Sequence, residues 1–108
     1  MGQGSRLAII YAPEVRRHIV AIPAWHHGLI RRTTKEQLAH SPAEQTRNRK
    51  PLEDQPGPFG STWELRCGIA NQFRVFYEIS QDGREVWILA IGVKTRDRLF
   101  VAGEEMDP

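Results

Sequence analysis

Apolar and polar residues alternate through the centre of the chain with a period of two. Trp63, Leu65 and Cys67 alternate with Glu64 and Arg66, then Phe73, Val75, Tyr77 and Ile79 with Arg74, Phe76 and Glu78. That spacing predicts two β-strands with one face turned to a core. A third strand, Val86 to Gly92, is apolar at nearly every position and suits the interior of a sheet. Asp82-Gly83 between the second and third runs is a strong hairpin signal. As the central pair of a type I′ turn it sets Ile79 opposite Val86 and Tyr77 opposite Ile88. Unbroken parity then gives an aliphatic face (Trp63, Leu65, Phe73, Val75, Tyr77, Ile79, Val86, Ile88, Ala90). The other face is mixed: Glu64, Arg66, Arg74, Phe76, Glu78, Trp87, Leu89 and Ile91.

Upstream, Leu7 to Tyr11 reads as a short strand, paired most economically beside the buried third strand of the meander. Pro13 suits a first helical turn, and Val15, Ile19 and Ile22 at i, i+4, i+7 make one apolar helix side, ending near Pro23. A second helix is expected between Trp25 and His40, with Gly28 blurring its start; Thr34 with Gln37 would be a capping box if the helix were shorter. Residues 41–60, with Pro42, Pro51, Pro56 and Pro58, read as one long basic loop. Leu99 to Val101 is apolar and fits either a strand or a helical turn. The resulting order predicts an α+β fold, β-α-α-β-β-β, with two N-terminal helices on one face of a small, largely antiparallel sheet.

With 108 residues, one domain with one modest core is expected, residues 1–5 being flexible. No apolar run approaches the ~20 residues of a bilayer span. Neither a secretory leader nor a metal-binding Cys/His spacing is evident, and Cys67 is the lone cysteine, so a cytoplasmic protein without cofactor or metal is expected. The net charge of +2 conceals an asymmetry: residues 1–50 carry nine Lys/Arg against three Glu, whereas residues 51–108 carry six against ten acids. The basic half faces either a polyanion or acidic partner, or only solvent. The same two readings hold for Arg47, Arg49 and Lys50 in the loop and for Lys94, Arg96 and Arg98 after the meander: phosphate contacts or solvated cations.

Trp63-Glu64-Leu65-Arg66, then Phe73 to Ile79, then Ile88 to Lys94 and Gly103-Glu104-Glu105, resembles the C-terminal half of the RelE/ParE toxins of bacterial type II toxin–antitoxin modules. Thr46 to Leu52 is similar to the preceding loop in one RelE-like branch, which extends the resemblance over roughly residues 46–105.

The resemblance implies a toxin neutralised by a cognate antitoxin. In the RelE branch it implies a hydrolase, an mRNA interferase that enters the ribosomal A site and cuts translated mRNA by 2′-hydroxyl attack. That chemistry asks for a base, cations for the phosphate, and an acid for the leaving 5′ oxygen. Arg74 matches the family arginine that contacts the scissile phosphate, and Lys94 falls where the family places an arginine. Arg66 is expected across from Arg74 or diagonal to it, which calls for an anion or carboxylate between them; Glu64 is either a base or their salt-bridge partner. Phe76 and Trp87 would stack RNA bases or form a small second core, and His18, His26, His27 and His40 match no family catalytic position. The chain departs from RelE at Thr62 and Glu64, where some members carry lysines, and at Phe100, where RelE has a tyrosine. A ParE-like inhibitor of DNA gyrase and a non-catalytic binding partner are the alternatives. Apolar groups of the mixed face and Leu99 to Val101 are expected to be exposed, to be covered by a partner.

Overall fold

The structure, a computed structural model, describes residues 6–106; the expected flexibility of residues 1–5 lies outside the described residues. Its elements are β1 (Ala8–Tyr11), α1 (Val15–Val20), α2 (His27–Leu38), β2 (Arg49–Pro51), β3 (Trp63–Cys67), β4 (Phe73–Ile79), β5 (Glu85–Thr95), β6 (Arg98–Val101) and β7 (Glu104–Met106). The strands form one sheet in the order β2-β3-β4-β5-β6-β7, and β1 pairs parallel with β5. Every other pairing is antiparallel.

The class is α+β, but the expected β-α-α-β-β-β arrangement with two N-terminal helices is not what forms. Among the described residues a single substantial helical stretch exists: a 3₁₀ turn, Ala24–His26, runs directly into the 12-residue α2. The first helix is only the six-residue α1, because Pro23 takes an extended ψ of 140° and ends the turn that follows it. Thr34 opens no shorter helix; it is buried in the middle of α2. The sheet has seven strands because three short ones lack the alternation that marks the meander. One is β2, inside the segment expected to be a loop, where Pro51 is tolerated on an edge strand. The others are β6 and β7, joined at Ala102 and Gly103, both with positive φ. This is the type I′ geometry that the Asp82-Gly83 turn was expected to show. In that earlier turn only Gly83 has positive φ, and its N–H donates to Ser80 O at 2.9 Å.

The hairpin nevertheless pairs as expected at its closed end, Ile79 with Val86 and Tyr77 with Ile88. Beyond it the register shifts. Phe76 stands opposite Ala90, so Leu89 is an extra residue, a β-bulge. Parity therefore inverts along the rest of β5. Ile91 turns to the core and Ala90 to the opposite face, the reverse of the expectation from unbroken alternation.

The main core lies between the sheet and the two helices. Val15, Ile22, Ile30 and Leu38 pack against Leu65, Val75, Tyr77, Val86, Ile88 and Ile91. Tyr77 is completely buried, and its hydroxyl donates to Pro42 O at 2.7 Å, tying the exit of α2 to the sheet. The opposite face carries a second, smaller core of Phe76, Ala90 and Val101, with Leu52, Leu99 and Met106 around it. No described helix is long and apolar enough to cross a membrane.

Candidate functional site

On the face away from α2, between that second core and residues 52–58, a groove of about 360 Å³ opens. Glu64, Arg74, Phe76 and Lys94 line its sheet side, Leu52, Gly57 and Pro58 its lid, and Leu99 and Met106 its far wall.

Strand parity explains how these groups meet. Glu64 is opposite Phe76 on β4, and Arg66 is opposite Arg74, so the charged residues of β3 and β4 share one face. Arg74 in turn faces Gly92 on β5, whose bare α-carbon leaves the strands room: an added Cβ there would fall 2.9 Å from Phe100 O and from Leu99 Cδ1. Lys94 reaches the same face only because of the bulge at Leu89. Without that extra residue, alternation from Val86 and Ile88 would turn Lys94 to the helix side. The bulge also lets Lys94 N–H donate to Gln72 O at 2.7 Å, which fixes the strand beside the 68–72 turn.

Within the groove Glu64 is the hinge of the charge distribution. Its Oε2 accepts from Arg74 Nη1 and lies 3.6 Å from Arg66 Nε. Arg74 Nε donates to Asn71 O at 3.1 Å, which orients its guanidinium. Both members of the Glu64–Arg74 pair are nearly buried, with side chains 7% and 12% exposed, whereas Arg66 is one-third exposed. The carboxylate called for between Arg66 and Arg74 is therefore Glu64 itself. Lys94, half-buried at the rim, has no acidic partner among the described residues. Two guanidiniums thus bracket one carboxylate, and Lys94 lines the same groove as Glu64 and Arg74, so the charge there is in positive excess and suited to an anion.

No family model, curated protein or solved structure matches the chain.

The other expected contacts are scattered. Phe76 is 5% exposed and belongs to the second core, so its ring is not free to stack a base. Trp87 faces Glu78 on the far side of the bulge and donates from Nε1 to Glu85 Oε1 at 3.0 Å, outside the groove. Arg49 serves the fold: its buried guanidinium donates to Gln37 O, to Gln37 Oε1 at 3.2 Å and to Glu44 O at 3.1 Å, binding residues 44–49 to the end of α2. Lys50 is exposed opposite Glu64 on the edge strand, and Arg47 is exposed in the turn before it. Arg96 occupies the β5–β6 turn with φ of 59°, and Arg98 lies 3.8 Å from Glu105; neither reaches the groove. Phe100 pairs with Val93 and so faces away from Lys94. The apolar groups of the mixed face are covered by the chain itself, and the exposed large ones are Tyr11, Val20, Trp25, Phe59 and Ile69.

No histidine enters the groove. His27 bonds Ile22 O at 2.7 Å, and His26 lies between Trp25 and Phe73. His18 accepts Ile91 N–H at 3.4 Å in the gap along β5 between the end of β1 and the start of β6, and burial holds its pKa below the usual imidazole value. Cys67 faces the main core, where burial pushes its thiol up to about 11 and removes it as a nucleophile.

The lid escaped the sequence reading. Its signal was Gly57 between Pro56 and Pro58: an added Cβ would fall 2.5 Å from Ser61 Oγ and 2.8 Å from Leu52 Cδ1, so the bare α-carbon lets this strap lie on the sheet without displacing those side chains.

Proposed function

We propose that this chain is the toxin of a type II toxin–antitoxin module, related to RelE and ParE, and that it cleaves translated mRNA at the ribosomal A site. The observation that carries the reading is the arrangement of Arg66 and Arg74 about Glu64 with Lys94 at the rim of the groove. Lys94 and the outer edge of Arg74 bind the scissile phosphate and meet the charge that builds on it. Glu64 takes the proton of the adjacent 2′-hydroxyl through Oε1, its second oxygen, while Oε2 stays with the arginines. The 2′ oxygen bonds to phosphorus, the bond from phosphorus to the 5′ oxygen breaks, and that oxygen takes a proton from a water, which recovers one from Glu64, leaving a 2′,3′-cyclic phosphate and a 5′-hydroxyl. A cognate antitoxin holds the toxin inactive.

One observation favours a second reading. Glu64 is already the partner of two guanidiniums, and no hydroxyl, thiol or imidazole lines the groove to act as general acid. A chain that does not cut RNA, whether as a ParE-like inhibitor of DNA gyrase or as a non-catalytic RelE-fold binding partner, fits that feature. Induced expression separates the two. Growth arrest that is lost in a folded Arg74→Ala variant, with new transcript ends, supports the nuclease; full toxicity of that variant overturns it, and arrest with intact transcripts moves the reading to the second.

A further inference from the structure

The helix side of the sheet carries a cavity of about 360 Å³ that this reading does not use. Along the edge of β5 that faces β1 and β6, β1 stops opposite Ile88 and β6 starts opposite Gly92. Ile91 falls in the gap, and its side chain floors the cavity together with Val15 of α1 and Ile30 of α2, all three apolar and nearly buried. His27 forms one wall, its ring fixed by the 2.7 Å bond from Nε2 to Ile22 O. The remaining lining has the opposite character. Arg16 on α1 and Arg31 on α2 line the same space, both exposed and without an ion pair among the described residues. Tyr11, at the end of β1, is 42% exposed, and Arg31 stands close enough to offset part of the rise in its pKa that burial causes. Beside the Tyr11 hydroxyl lies Thr34, one turn after Ile30, whose Oγ1 is completely buried and has no hydrogen-bond partner.

We propose that this cavity binds a small organic carboxylate with an aromatic or branched aliphatic body, which rests on Val15, Ile30 and Ile91 while Arg16 and Arg31 hold the carboxylate. Two guanidiniums without a counter-ion, brought to one cavity by different helices, repel each other, and a single shared anion relieves both. A planar carboxylate matches the guanidinium fork through paired N–H···O bonds, and the Tyr11 hydroxyl has a further proton to donate. No acidic side chain lines the cavity to repel it. Charge alone would serve inorganic phosphate equally well, and the floor decides between them. A hydrated ion leaves the three aliphatic side chains facing water, whereas a ring or branched chain displaces that water. The volume lies near the lower end of the ~300–1,000 Å³ usual for small-molecule sites, which limits the body to one ring or a short chain.

Phenylpropionate is the probe, with phenylpropionamide and inorganic phosphate as controls, and amide NMR spectra of the full chain give the readout. Saturable shifts are expected at Ala12, Ile30 and Ile91, with a dissociation constant of about 1 mM or lower. The amide and the phosphate should each bind roughly tenfold more weakly, one for lack of charge and the other for lack of an apolar body. The double variant Arg16→Gln, Arg31→Gln, whose spectrum also reports its fold, should weaken the probe by a similar factor. Absence of saturable shifts, equal binding of either control, or indifference to the double variant each overturns the proposal. So do shifts confined to Arg66, Arg74 and Lys94, which place the anion in the other groove, and shifts produced by raising the protein concentration without probe, which mark a second copy as the occupant. None of these readouts depends on RNA cleavage.

Discussion

Arg74 donates to the Glu64 carboxylate across the β3–β4 pair, and both side chains are nearly buried. Removing the carboxylate leaves a guanidinium that keeps only Asn71 O as a partner. Glu64→Ala should therefore cost about 3 kcal/mol in urea unfolding. Arg66, one-third exposed and more distant, should contribute about 1 kcal/mol or less, so Arg66→Ala is mild. Equal losses in the two variants would contradict this division.

Arg49 and Arg47 lie two residues apart and are expected to behave oppositely. Arg49→Met strips bonds from Gln37 and Glu44 carbonyls and should cost about 2 kcal/mol in urea unfolding. Arg47→Ala should leave the unfolding midpoint unchanged, since its side chain is exposed and makes no ion pair among the described residues.

Two glycines give opposite signs. An added Cβ at Gly92 meets Phe100 O at 2.9 Å, a backbone atom that cannot move without disturbing β6, so Gly92→Ala should cost about 1–3 kcal/mol. At Gly28, in the first turn of α2, a Cβ meets nothing within 4 Å, and alanine should stabilise the chain by about 0.5 kcal/mol. Thermal melts of the two variants decide both.

His18 predicts an acid limb in stability. Its folded pKa lies below the ordinary 6.5, chiefly through burial and secondarily through Arg17, so the unfolded chain takes up the proton first. The stability that neutral His18 contributes is present above pH 6.5 and declines as pH falls through the lower folded value. Protonation also removes the acceptor that Nδ1 offers to Ile91 N–H. Unfolding free energies at pH 7 and pH 5 should differ in the wild type, and the difference should shrink in His18→Gln.

The meander was legible because Trp63–Cys67 and Phe73–Ile79 each place apolar residues at every second position, and period two specifies a face regardless of the loop between them. The cross-strand partners near the turn followed from the same rule even though the turn itself differs from type I′. Leu89 was not legible. In an all-apolar run nothing distinguishes an extra residue from a paired one, and that residue decides which face Ala90, Ile91 and Lys94 occupy. The short strands also escaped. Arg49-Lys50-Pro51 has no apolar alternation, and it is held by pairing with Trp63, Glu64 and Leu65 rather than by its own preference. Of the site, the Glu64–Arg66–Arg74 cluster could be placed from parity, whereas the 52–58 lid depends on contacts distant in sequence.

Mapping of transcript 5′ ends after induced expression of the wild type and of Lys94→Ala tests the nuclease reading most directly. Lys94 is the groove cation without an acidic partner among the described residues, so its loss leaves the Glu64–Arg74 pair and the fold in place. New ends within translated regions are predicted for the wild type and should fall about tenfold or more in the variant. Absence of such ends in the wild type, or an undiminished pattern in Lys94→Ala, would contradict a phosphate-cleaving groove at this site.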